Sequence, residues 1–161
     1  MSDNKIIRVG VLGACGNIGG THTENLANYV NGAVLSRIYD INEERTRETA
    51  EKYGAAAAAS AEDLIHADDV DAVIIASWDG THADLAIKCI EAGKPGFCEK
   101  PLATTLEDAE QVAAAEKAAG KRLLQSCVLR RFDPDYINMK ESLASGKLGR
   151  TPEDPLHQPY P

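Results

Sequence analysis

The chain has 161 residues, 43% of them hydrophobic and 26% charged, a balance that suits a soluble globular protein with a buried core. A net charge of −8 without any Lys/Arg block excludes a nucleic-acid partner, because neutralising phosphates needs clustered positive charge. No apolar run approaches the ~20 residues of a membrane helix, and the opening Met-Ser-Asp-Asn-Lys lacks the apolar centre of a signal peptide, so a cytoplasmic protein without a membrane partner is expected.

Residues 6–12 read as a first strand. A glycine-rich turn follows, Gly13-Ala-Cys-Gly16-Asn-Ile-Gly19, and then a helix over residues 17–29. Residues 33–39 read as a second strand ending at Asp40, and residues 42–53 as a polar helix. Residues 55–59, all alanine, are ambiguous: propensity says helix, while Gly54 and the rhythm of the chain favour a short strand. Residues 70–77 form a nearly continuous apolar run, as a central parallel strand covered on both faces would. Ala83, Ala86, Ile87 and Ile90 then recur at helical spacing before Gly93.

Phe97-Cys98 makes a short strand. Thr105 caps the next helix, which carries Asp108 in its first turn and closes at Gly120. Residues 123–128 give another strand, and Asp133-Pro134 opens a last helix with Tyr136, Met139 and Leu143. This alternation predicts an α/β fold with a doubly wound parallel sheet over residues 1–150, followed by a Pro-rich tail over 151–161.

Ligands bind such sheets beyond the carboxyl ends of the strands. Gly13–Gly19, Asp40, Ser77–His82 and Cys98–Pro101 all fall just after predicted strands, so one site at one edge is the economical reading. The glycine turn offers close backbone approach and a helix N-terminus to a pyrophosphate, and Asp40, about 20 residues on, offers a carboxylate to a ribose. An acid there repels a 2′-phosphate, and Ile41 and Asn42 bring no arginine, which favours NAD over NADP. The candidate cofactor set is Gly13, Cys15, Gly16, Asn17, Ile18, Asp40, Ser77, Trp78, His82 and Glu99. Trp78 shields a ligand face or simply packs; His82 lies near the nicotinamide or caps its helix.

Lys100, aimed by the proline behind it, is the candidate catalytic group and a substrate ligand. Arg130 either binds anionic or hydroxylated substrate groups or is a solvated loop cation. His22 and His66 read as structural. Cys15, Cys89, Cys98 and Cys127 have no metal or redox spacing and read as buried thiols, and no metal set is expected.

Together these stretches resemble the nucleotide-binding domain of the Gfo/Idh/MocA family (glucose-fructose oxidoreductase and inositol dehydrogenases). The match rests on Val9-Gly-Val-Leu-Gly-Ala-Cys-Gly-Asn-Ile-Gly19, Asp71-Ala-Val-Ile-Ile-Ala76, Thr81-His82, Phe97-Cys-Glu-Lys-Pro-Leu-Ala103 and Leu129-Arg-Arg-Phe-Asp-Pro134. Glu99-Lys100-Pro101 is the most specific of these, and the Arg-Arg-Phe-Asp-Pro run is most similar to inositol dehydrogenases. The resemblance implies NAD(P)-dependent oxidation of a polyol or sugar hydroxyl, myo-inositol-like, with Lys100 orienting the substrate, Gly13, Gly16 and Gly19 as phosphate loop and Asp40 as ribose ligand.

It also implies a cis Lys100–Pro101 peptide, although only about 5–6% of X–Pro bonds are cis, so both isomers stay open. The glycine loop is one residue longer than the family's. A second α/β domain, supplying an Asp and a His as substrate ligand and base, has no counterpart in these residues. Two readings therefore stand: a polyol dehydrogenase, or a dinucleotide-binding module without turnover that serves as sensor, partner subunit or remnant. Self-association is expected if apolar surface is left uncovered.

Overall fold

Six strands and six helices alternate along the chain in the computed structural model, which describes residues 6–146 and 149. The strands are β1 (Ile7–Leu12), β2 (Ala33–Tyr39), β3 (Ala56–Ala57), β4 (Ala72–Ile75), β5 (Gly96–Cys98) and β6 (Leu124–Ser126). The helices are α1 (Asn17–Asn28), α2 (Glu43–Tyr53), α3 (Ala61–His66), α4 (His82–Glu91), α5 (Leu106–Ala119) and α6 (Pro134–Ala144). Contacts divide the chain into two units, one ending at Cys127 and one beginning at Val128. The Pro-rich tail lies outside the described residues.

The first unit is a six-stranded sheet in the order β3-β2-β1-β4-β5-β6, with every pairing parallel. Strand order reverses between β1 and β4, the switch point at which doubly wound sheets leave a crevice. Side chains alternate across β1 and divide the core between the two faces. Val9 and Val11 pack with Leu26 of α1, Ile38 of β2 and Ala50 of α2. Leu12 joins Val73 and Ile75 of β4 in a larger cluster with Leu64 and Ile65 of α3, Ala86 and Ile90 of α4, and Val112 of α5. Gly10 faces that second side, where a Cβ would lie 2.5 Å from the Leu64 side chain. Its small size lets α3 sit against β1.

The ambiguous alanine run is a strand, but only two residues long, paired with Arg37 and Ile38 at the sheet's edge. The apolar run at 70–77 contributes a strand only over its middle, since its ends enter turns. Helix α3 is an element the apolar periodicity did not reveal. Ser60 Oγ accepts the Asp63 N–H at 3.0 Å while the Asp63 carboxylate accepts the Ala59 N–H at 3.1 Å, so this short helix is held by reciprocal caps.

In the second unit a 3₁₀ turn at Leu129–Arg131 precedes α6, whose Asp133 cap accepts the Asp135 N–H at 2.9 Å. Arg130 lies over the Tyr136 ring, 4.5 Å from its centroid. Among the described residues no helix is long and apolar enough to cross a membrane.

Candidate cofactor site

Beyond β1 the backbone enters the left-handed region at Gly13 (φ 79°), where a Cβ would stand 2.5 Å from the Ala76 carbonyl oxygen and 2.6 Å from Ser77 Cα. The loops leaving β1 and β4 therefore touch at the switch point, and only glycine fits between them. Gly19 is held as strictly, because a Cβ there would fall 2.0 Å from the Gly13 carbonyl oxygen. At Gly16 the nearest atom would be 3.3 Å away, so the protein's own packing makes a much weaker demand for glycine at this position.

Gly16 is also the N-cap of α1 and offers no capping side chain. The first intrahelical bond runs from the Gly20 N–H to the Gly16 carbonyl at 2.8 Å, which leaves the N–H groups of Asn17 and Ile18 ahead of the ladder. Helices α2, α3 and α5 begin differently, with Asn42, Ser60 and Thr105 as side-chain caps and acidic residues in their first turns. Helix α1 has neither. Its positive end is thus not neutralised from within, the arrangement that suits an external anion.

Backbone hydrogen bonds hold the glycine loop from behind. Gly13 and Ala14 both donate N–H groups to the Tyr39 carbonyl, at 2.8 and 3.2 Å, and Cys15 donates its N–H to Asp40 Oδ2 at 3.0 Å. The glycine loop is tied in this way to the end of β2. Cys15 stands behind the loop with its thiol buried, 3.8 Å from Thr49 Oγ1. Asp40 Oδ1 accepts the Asn42 N–H at 3.3 Å, and the carboxylate keeps further lone pairs as acceptors. Beside it Ile41 is 91% exposed.

At the end of β5 the Glu99 N–H donates to the Ile75 carbonyl at 2.9 Å, carrying the ladder one residue further. The Glu99 carboxylate is buried and meets His22 Nε2 of α1 at 2.8 Å. Burial, the largest influence on this carboxyl, opposes its ionisation. Hydrogen bonds from His22, the Lys100 N–H and Cys127 outweigh burial and hold its pKa below the ordinary value. The Lys100–Pro101 peptide is cis.

The Pro101 carbonyl lies 2.7 Å from Nδ1 of His82, whose Nε2 is 3.1 Å from the Ser77 carbonyl. His82 is 1% exposed, so it bridges two strand-end loops from inside the protein. Two histidines therefore brace the Glu99–Pro101 segment, and Lys100 between them is exposed, its Nζ without a partner among the described residues. Burial pushes the Cys89 and Cys98 thiols up to about 12, which removes them as nucleophiles near neutral pH.

These features converge on one cavity of about 520 Å³. Gly13, Gly16, Asn17 and Ile18 line it from the first loop and Asp40 from the second. Ser77 and Trp78 line it from the loop after β4, His82 from the start of α4, and Glu99 and Lys100 from the end of β5. Trp78 is 77% exposed and lies over Gly80. Arg130 belongs to the second unit. The pairing of His22 with Glu99 escaped the sequence reading, since no spacing links residues 77 positions apart. Arg45 escaped it too: its Nη2 donates to the Cys15 carbonyl at 2.7 Å.

An all-parallel sheet in this order, with a glycine turn feeding an uncapped helix and an acid closing the next strand, defines a dinucleotide-binding domain of the Rossmann type. The model of the oxidoreductase family with an NAD-binding Rossmann fold matches residues 7–126. The chain belongs to this family, Gfo/Idh/MocA.

Inositol 2-dehydrogenase 3 of Saccharopolyspora erythraea is 45% identical over 143 residues, which is 89% of this chain and 42% of the relative. Inositol 2-dehydrogenase of Rubrobacter xylanophilus is 44% identical over 147 residues, 91% of this chain and 42% of the relative. The crystal structure of myo-inositol dehydrogenase from Lactobacillus casei, in complex with NAD(H) and myo-inositol, superposes with a TM-score of 0.84 at 32% identity. That match covers 89% of this chain and 43% of the other. The chain thus spans well under half the length of these relatives.

Proposed function

We propose that the chain is the NAD-binding half of a dehydrogenase that oxidises a secondary hydroxyl of a cyclitol or related polyol, with myo-inositol the first substrate to test. The observation that carries this reading is the placement of Lys100, which has no side-chain partner among the described residues and lines the same cavity as the glycine loop and Asp40. The free N–H groups of Asn17 and Ile18 suit a pyrophosphate, Asp40 suits the adenosine ribose, and Ile41 offers apolar surface beside it.

A nicotinamide bound in this cavity supplies the hydride acceptor. Lys100 donates a hydrogen bond to the substrate hydroxyl, orients the carbinol carbon and favours the charge that develops as the proton leaves. The chain spans 42% of the length of these relatives, and we assign the base that takes that proton to the remaining part of such a dehydrogenase. Names of relatives support the cyclitol, as does the inositol-dehydrogenase-like Arg130-Arg131-Phe132-Asp133-Pro134 run.

Calorimetric titration with NAD tests the first half of the proposal. NAD reduction by a panel of polyols tests the second, assayed with the chain alone and with the chain fused to the C-terminal half of the Rubrobacter xylanophilus relative. Binding is expected in both proteins and reduction in the fusion. NAD binding with no reduction by any polyol in either protein would favour the alternative, a dinucleotide-binding module without turnover.

A further inference from the structure

We propose that Arg45 is a second determinant of cofactor choice, a cation positioned to take the 2′-phosphate of NADP and kept from doing so by Asp40. The proposal rests on the dinucleotide reading of the cavity and concerns only its ribose end. Arg45 lies in the first turn of α2, where its own N–H caps on Asn42 Oδ1 at 3.0 Å. Its side chain crosses to the glycine loop and donates from Nη2 to the Cys15 carbonyl at 2.7 Å. The N–H of that same Cys15 sits on Asp40 Oδ2. One residue thus receives the guanidinium on one side and the ribose acid on the other.

Arg45 is exposed, and among the described residues no carboxylate stands within 4 Å of it. A guanidinium held by one neutral carbonyl keeps donors free, and its fork suits phosphate oxygens. Such an arginine near the ribose acid is the usual means of accepting a 2′-phosphate. Asp40 opposes that outcome, and so do Glu43 and Glu44 in the same turn of α2. The balance therefore stands with NAD while Asp40 is charged. It should shift once that charge is removed, without any cation being introduced.

The test is calorimetric titration of the wild-type chain, Asp40→Asn, Arg45→Gln and the double variant with NAD and with NADP. Wild type should bind NADP at least about tenfold more weakly than NAD. Asp40→Asn should narrow that ratio at least about fivefold. Adding Arg45→Gln should cancel the gain, lowering NADP affinity about fivefold or more while changing NAD affinity less than about twofold. Arg45→Lys in the Asp40→Asn background should keep part of the gain.

Unchanged NADP affinity on adding Arg45→Gln would overturn the proposal. So would an equal loss for both nucleotides, which would make Arg45 a clamp on the loop. Asp40→Ser replaces Asp40→Asn if circular dichroism shows that the latter fails to fold. A wild-type chain that binds neither nucleotide would reject the dinucleotide site itself, whereas NAD binding with a fixed ratio rejects only the role of Arg45.

Discussion

His22 of the first helix meets the buried carboxylate of Glu99, 77 residues later, at 2.8 Å. The contact couples the helix whose first N–H groups are left uncapped with the segment that carries Lys100. His22 also packs edge-on against Phe97, 5.8 Å between ring centroids, which fixes its approach from a second side. Replacing His22 by alanine leaves a buried carboxylate short of a donor. The expected loss is about 1–3 kcal/mol of stability in urea denaturation. His22→Gln, whose amide can still donate, should recover part of it. An alanine variant within about 0.5 kcal/mol of wild type would show that the pair carries no weight.

The same carboxylate gives stability a direction with pH. Glu99 has a folded-state pKa below its ordinary value of 4.5, so the unfolded chain takes up a proton first as pH falls. Its stabilisation is fully present above about 4.5 and is lost as pH drops toward and through the lower folded value. Asp69, lowered by its bond to Arg37, has the same sign, but its exposure to water screens it. Melting temperature should hold steady from neutral pH to about 5 and decline below that. Glu99→Gln should be less stable at neutral pH and show a shallower acid decline. Parallel pH profiles for the two proteins would contradict this assignment.

Two of the loop glycines should separate fold from function. Gly19→Ala drives a Cβ to 2.0 Å from a backbone oxygen and should destabilise the domain by about 1–3 kcal/mol or more. Gly16→Ala meets its nearest atom at 3.3 Å, so a small shift accommodates it and stability should change by less than about 1 kcal/mol. Its added methyl stands at the N-cap of α1, where an anion must approach the backbone, so NAD affinity should fall at least about tenfold. Paired thermal melts and calorimetry decide this. A Gly16→Ala protein that binds NAD normally would place the pyrophosphate elsewhere.

The sheet, its switch point and the positions of the glycine turn, Asp40 and Lys100 were legible because each depends on local pattern: apolar runs, punctuating glycines and a fixed offset to the next strand. Helix α3 was not, since six residues make too few turns for apolar periodicity to show. The reciprocal caps on Ser60 and Asp63 were the signal available. His22 was read as structural and His82 as a cofactor neighbour or cap, but each holds one end of the Glu99–Pro101 segment. Arg45 stands five residues after Asp40, beyond the positions that directly follow the strand, and only the turn of α2 brings its side chain back to the loop. These relations arise from packing between distant segments, which single-sequence spacing does not encode.

Lys100 and His82 should fail in different ways when removed. Lys100 has an exposed ammonium without a partner among the described residues, so Lys100→Ala should leave the fold intact and NAD affinity within about twofold. In the fusion that carries a second half, the same change should lower turnover by about 10²–10⁴, the range for loss of a group that assists proton movement. His82 is buried between two carbonyl oxygens, so His82→Ala removes their ring partner, leaves a cavity and should destabilise by about 2–4 kcal/mol. Its effect on turnover should come through Pro101 and Lys100. Measured below its melting temperature, His82→Ala should therefore bind NAD while losing turnover, and His82→Asn, which can still donate to Pro101, should recover part of that loss. Full turnover in Lys100→Ala would remove the lysine from the chemistry and leave His82 a purely structural residue.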